Sequence, residues 1–133
     1  MFALLSKPAL LGTREEILGT EAVWQKPSGA AKGLLFLAHG CNHGAIDFWP
    51  RSPACAQCIG LPEEVRITRD ALQAGWAVVA MSSSDRARSR CWNFDIDGPA
   101  VAGARSSTYL VSYWPLSGST GPLAVLRSLE PRT

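Results

Sequence analysis

Leu34-Leu35-Phe36-Leu37-Ala38 is an unbroken apolar run, closed by Gly33 before it and by His39-Gly40 after it. Five residues are too few for a buried helix. A continuous run, rather than an alternating one, suits a strand covered on both faces of a parallel sheet. A second such run, Trp76-Ala77-Val78-Val79-Ala80-Met81, lies downstream. Between the two, residues 61–74 have helical periodicity. Pro62 stands where a first-turn proline is tolerated, and Glu63 and Glu64 suit the positive end of the helix dipole. Val65, Ile67, Ala71, Leu72 and Ala74 supply the apolar face, and Gly75 provides the stop. Strand, loop, helix and strand in that order predict a parallel pair with a right-handed crossover.

The flanking regions are less sharply punctuated. Thr13-Arg14-Glu15-Glu16 has capping-box spacing and predicts a short helical turn ended by Gly19. Residues 21–25 read as an edge strand and Lys26-Pro27-Ser28-Gly29 as a turn. Residues 41–60 carry Asn42, Pro50, Pro53 and Gly60 with little periodicity. Irregular loops of this length in a compact domain are often functional. Residues 93–107 show no clear element. Residues 108–114 have strand propensity, Pro115 interrupts them, and Leu123 to Leu129 read as a short helix. The chain therefore divides into an extension over 1–20, a central unit over 21–96 and a C-terminal segment over 97–133.

The 133 residues fit one domain, which buries roughly two thirds of its unfolded surface at this size. A net charge of +2 is too small to argue for nucleic acid. Arg86, Arg88 and Arg90 make the one tight basic cluster; it reads as a solvated loop, with anion binding as the alternative. No run reaches the roughly 18 apolar residues of a membrane span. Met1 to Leu11 lacks the basic region and cleavage site of a secretory signal, and early acidic residues argue against a transit peptide. An intracellular location follows, cytoplasmic rather than organellar, with reduced thiols.

Three groups of residues suggest chemistry. Gly40 lets the backbone turn sharply after a buried strand, so that the amide of Cys41 faces a cleft and donates to an oxyanion during acyl transfer. Cys41, His43, Cys55 and Cys58 form two short-spaced pairs, a pattern able to chelate tetrahedral zinc and order the loop between them. Disulfides among Cys41, Cys55, Cys58 and Cys91, a redox role for the Cys55–Cys58 pair, and plain thiols are the competing readings. Ser117-Gly118-Ser119-Thr120-Gly121 has the small-x-Ser-x-small form of a nucleophile turn.

Residues 34–40 resemble the strand and oxyanion-hole turn of α/β-hydrolases. His39-Gly40-Cys41-Asn42-His43, Asp47-Phe48-Trp49-Pro50 and Cys55-Ala56-Gln57-Cys58-Ile59-Gly60-Leu61-Pro62-Glu63-Glu64 are similar to an α/β-hydrolase-like group of plants and algae. The resemblance covers about residues 20 to 96 and fades after Asp95. It implies an α/β fold, with the front part of a three-layer parallel sheet flanked by helices. It also implies ester hydrolysis of a small-molecule substrate, with Gly40 and Cys41 in the oxyanion hole and Ser119 as nucleophile. No histidine follows Ser119 and Glu130 is the one carboxylate side chain beyond it, so the triad of that fold is incomplete in this chain. A partial sheet leaves an edge strand open to self-association. The alternatives are a non-catalytic module held by zinc or thiols, and an inactive remnant of the hydrolase fold.

Overall fold

The computed structural model describes residues 7–104 and 123–127. The expected succession of strand, helix and strand is present. The first apolar run forms β3 (Leu34–Ala38), the helical segment forms α1 (Pro62–Gln73) and the second run forms β4 (Ala77–Met81). β3 and β4 pair in parallel, with Leu34 opposite Ala77 and Ala38 opposite Met81. Every residue of both strands is buried. Fully burying a side chain such as Leu37 or Phe36 contributes about 2–3 kcal/mol.

Helix α1 ends as its sequence dictates. Gly75 has φ +93°, the left-handed region that glycine enters without strain. Its amide donates to Leu72 O at 3.0 Å and the Trp76 amide to Ala71 O at 3.0 Å, which is the Schellman pattern. The buried stripe of α1 is Glu64, Thr68, Ala71 and Leu72, spaced at four, three and one residues. Ala74, expected on that face, is exposed. Thr68 joins the buried stripe instead and satisfies its hydroxyl by donating to Glu64 O at 3.0 Å.

The sheet itself is not the parallel array expected. It has five strands in the order β1-β2-β4-β3-β5. β1 (Thr13–Ile17) and β2 (Thr20–Gln25) form an antiparallel hairpin, and β2 runs antiparallel to β4. β5 (Leu123–Arg127) pairs in parallel with the other side of β3. The sheet is therefore mixed, and the all-parallel three-layer, hydrolase-like sheet is corrected.

The antiparallel half comes from the β1–β2 hairpin, and two further segments, β5 and α2, also differ from expectation. The capping-box pattern at Thr13 is overridden by a hairpin whose two-residue turn, Leu18-Gly19, has φ of 54° and 76°. Two positive φ values match the twist of the flanking strands. β2 is consequently an interior strand, and the outer edge of β1 is partly covered because the Arg14 amide donates to Ala54 O at 2.9 Å. At the other side of the sheet, Leu123–Arg127 pairs as a strand where a helix was expected; its apolar run finds β3 as a neighbour. α2 (Phe94–Ala104) was not foreseen at all. Its start is capped by Asn93, whose Oδ1 accepts the amides of Asp95 and Ile96 at 3.1 Å each.

Strand alternation sends successive side chains to opposite faces. Leu35, Leu37, Val78 and Ala80 join one cluster with Val23, Ala71 and Leu72. Leu34, Phe36, Ala38, Ala77, Val79 and Met81 join the other, against which Trp92, Ala100 and Val101 pack. The first cluster also receives the irregular loop. Phe48 and Trp49 are 1% and 0% exposed, and Cys55 and Cys58 are 0% and 3%. Part of the long loop is thus core, while Arg51, Pro53, Ala56, Gln57 and Ile59 stay exposed. Trp49, considered above as part of that loop, is a central core residue, with its indole N–H donating to Gln25 Oε1 at 2.9 Å.

Candidate functional site

The carboxyl ends of β3 and β4 open on the same end of the sheet, where ligands of α/β proteins commonly sit. The loops that leave these strands, residues 39–44 and 82–93, meet there. Their contacts begin with His39, which is only 3% exposed. Its Nε2 accepts the Ser83 amide at 2.9 Å, and its Nδ1 lies 2.6 Å from Gly40 O. Nε2 must therefore be unprotonated while Nδ1 carries the proton, a neutral tautomer. Burial pulls the His39 pKa below its ordinary value, with Arg86 adding to the effect and the Gly40 carbonyl opposing it. The Trp92 ring stacks on His39 at 4.7 Å and donates its N–H to His39 O at 2.7 Å. Both ring nitrogens are committed, so His39 pins the two loops together and is not placed to serve as a general base.

Arg86 makes the second set of crossings. Its Nη1 and Nη2 each donate to His43 O at 3.1 Å, its Nε donates to Ser83 O at 3.0 Å, and Nη2 donates to Ser83 Oγ at 2.8 Å. Gly44 lies directly beneath: a Cβ there would stand 2.8 Å from Arg86 Nη1 and 3.2 Å from Ser82 Oγ. Ser82 Oγ accepts the Ala45 amide at 3.0 Å and donates to Glu21 Oε1 at 2.8 Å, which ties in the antiparallel half of the sheet. The Arg86–Arg90 stretch is shaped by Asp85, whose carboxylate accepts the amides of Arg88, Ala87 and Arg90 at 2.9, 3.1 and 3.2 Å. These bonds, the Arg88 amide foremost, hold the Asp85 pKa below the usual carboxylate value. Asp97 does a similar service at the base of α2, accepting the Ser84 and Asn93 amides at 2.9 and 2.8 Å.

At the rim lies Cys41. It is exposed and bonded to Cys91 through a disulfide that joins the two loops. The next amide, that of Asn42, donates to Ser89 O at 2.7 Å, and His43 N–H returns to Gly40 O at 3.2 Å. The Cys41 amide has no acceptor among the described residues. Gly40 and Cys41 lie at a turn that closes β3, with the Cys41 donor left for solvent or a ligand.

The expected zinc set is not brought together. Cys41 is bonded to Cys91, and Cys55 to Cys58. His43 instead turns its Nδ1 to Asp47 Oδ2 at 3.1 Å, and that oxygen also accepts the Gly44 amide at 3.0 Å. Among the described residues no group of three or more metal-binding side chains is assembled. Ser119 lies outside the described residues.

Sequence reasoning missed His39 as the hub, Arg86 as its neighbour and Asp47 as the partner of His43, and it left the pairing of Cys41 among Cys55, Cys58 and Cys91 open. The available signal for the hub was a histidine and a serine each directly following a buried apolar run, His39 after β3 and Ser82-Ser83 after β4. Among the described residues no helix is long and apolar enough to cross a membrane. No protein-family model, curated protein or solved structure matches the chain. The α/β-hydrolase resemblance stands on the quoted residues alone.

Proposed function

We propose that this chain is an ester-hydrolase-type domain that receives the acyl oxygen of a small ester at the Gly40-Cys41 turn, with its catalytic apparatus incomplete. The observation that carries this reading is the Cys41 amide: a backbone donor without an acceptor among the described residues, braced by a disulfide and by the neighbouring Asn42 and His43 bonds. Preorganised donors of this kind stabilise the oxyanion of acyl transfer. Ser119 is the nucleophile of this reading. The described histidines do not complete a triad with it: His39 is committed at both nitrogens, and His43 is paired with Asp47.

The test has two readouts. Purified chain should release p-nitrophenol from p-nitrophenyl butyrate slowly but above buffer, and Ser119→Ala should abolish the excess. In amide spectra, butyrate should shift the Cys41 resonance more than any other in the loop. A chain with no excess rate and an unmoved Cys41 amide removes the reading. An unchanged rate in Ser119→Ala removes Ser119 alone.

A second reading, a non-catalytic module stapled by sulfur, is favoured by the pairing of all four cysteines. Paired cysteines support maturation under oxidising conditions rather than in a reducing cytoplasm. Under this reading zinc would bind only after reduction, which metal analysis of reduced and oxidised protein distinguishes.

A further inference from the structure

We propose that Cys41–Cys91 is a thiol-exchange site, opened by small anionic thiols of the glutathione class, while Cys55–Cys58 in the same chain is not. This goes beyond the ester reading and does not depend on it. Three observations converge. The first is access. Cys41 is exposed and Cys91 half-buried, whereas Cys55 and Cys58 are 0% and 3% exposed inside an apolar cluster. Exchange needs a thiolate to reach a disulfide sulfur, so the buried pair is screened.

The second observation is backbone strain on both flanks of the bond. Asn42, next to Cys41, has φ 69°, and Arg90, next to Cys91, has φ 55°. Asparagine enters this left-handed region more readily than other non-glycine residues, so the larger cost, on the order of 1 kcal/mol or more, falls on Arg90. Outside the Leu18-Gly19 hairpin turn, these are the described non-glycine residues with positive φ. A crosslink that holds two such residues loses part of its stability advantage to them, and opening it lets both relax.

The third is charge. Arg86, Arg88 and Arg90 stand in the five residues before Cys91, a stretch with no carboxylate and with Asp85 just before it. Cationic side chains attract an anionic thiol and stabilise the thiolate that leaves. The cluster that the sequence left as a solvated loop thereby acquires a role.

The chemistry balances without further reagents. One thiolate attacks a sulfur of the disulfide, forming a mixed disulfide and expelling the other protein cysteine as thiolate. A second thiolate attacks the mixed disulfide, expels the remaining cysteine and leaves as the small-molecule disulfide. Two thiols are oxidised and one protein disulfide is reduced.

The experiment treats the full chain with reduced glutathione or with cysteamine, a thiol of opposite charge. Alkylation and peptide mapping then follow each cysteine, with far-ultraviolet circular dichroism read alongside. Cys41 and Cys91 should label at least about tenfold faster than Cys55 and Cys58, with the spectrum retained. Glutathione should outpace cysteamine by about tenfold at low salt, and Arg88→Gln with Arg90→Gln should erase that preference. Labelling of all four cysteines together, or of Cys55 and Cys58 first, overturns the proposal. So does a charge preference that survives loss of both arginines.

Discussion

The residues that follow β3 fall into two stretches with opposite characters, each closed by one disulfide. Residues 45–60 turn inward. Phe48, Trp49, Cys55 and Cys58 are buried there, and the disulfide spans a sequence separation of 3. Residues 39–44 turn outward after His39, and their disulfide reaches across a separation of 50 to the loop beyond β4. The first bond is part of the packing. The second is a strap between two loops that are already joined by His39, Trp92 and Arg86. Burial alone is therefore a poor guide to what a crosslink does: the local buried bond restricts little chain, and the exposed bond restricts much.

The largest test of this contrast compares two tryptophans, Trp49 in the inward stretch and Trp92 in the loop to which the outward stretch is strapped. Trp49→Ala should cost near the top of the roughly 3–5 kcal/mol typical of a buried aromatic truncation, measured by urea unfolding. Trp92→Ala should cost less, because Trp92 is only partly buried. Equal losses would mean that the site loops are as much core as the inward stretch. The second test removes each crosslink in turn. Loop-closure entropy gives about 4 kcal/mol for a loop of some 50 residues and about 2 kcal/mol for one of a few residues. Cys41→Ala with Cys91→Ala should accordingly lower stability more than Cys55→Ala with Cys58→Ala. The reverse order would show that packing around the buried sulfurs dominates.

The smallest effect concerns pH. The His39 pKa is lowered in the folded chain, chiefly by burial, from an ordinary value of 6.5. The unfolded chain therefore binds the proton more readily. The stability that the neutral ring contributes is complete above that value and is lost as pH falls from it through the folded pKa. Unfolding free energy measured from pH 7 downward should begin to decline near pH 6.5, and His39→Gln should flatten that decline. An unchanged slope in His39→Gln would mean that His39 titrates as it does in the unfolded chain.

What the sequence made legible, and what it concealed, follow the same physical divide. β3, α1 and β4 could be read because each carries its own signal: an apolar run for each strand, and for the helix Pro62 at the start and Gly75 at the end. The hairpin was hidden because Thr13 and Glu16 satisfy a helix-capping rule equally well, and only pairing with β2 decides between the two. α2 was obscured by Gly98-Pro99, although Asn93 offered a cap and Asp95 a favourable first-turn charge. β5 is an apolar run too short to distinguish from a helix until β3 is seen beside it. At the site, the turn at Gly40 that closes β3 was legible from the glycine after the apolar run. The pairing of Cys41 with Cys91 was not, since four cysteines allow three connectivities and none is favoured by spacing alone. His39 was judged by its neighbours in sequence, while its partners Ser83 and Trp92 come from the far side of a crossover.

The place of β5 has a consequence for how the chain is made. Leu34 meets Ala77 after 43 further residues have emerged (77 minus 34) but meets Leu123 only after 89 (123 minus 34). During synthesis one side of β3 is paired early while its opposite side waits for the longest connection in the sheet. Distant pairings of this kind form late, because chain closure is costly before any contact rewards it. In that interval five consecutive buried-type residues present an unpaired ladder, the feature on which nascent chains associate. The turnover of the growing chain, and any demand it makes on chaperones, should therefore be decided at β3.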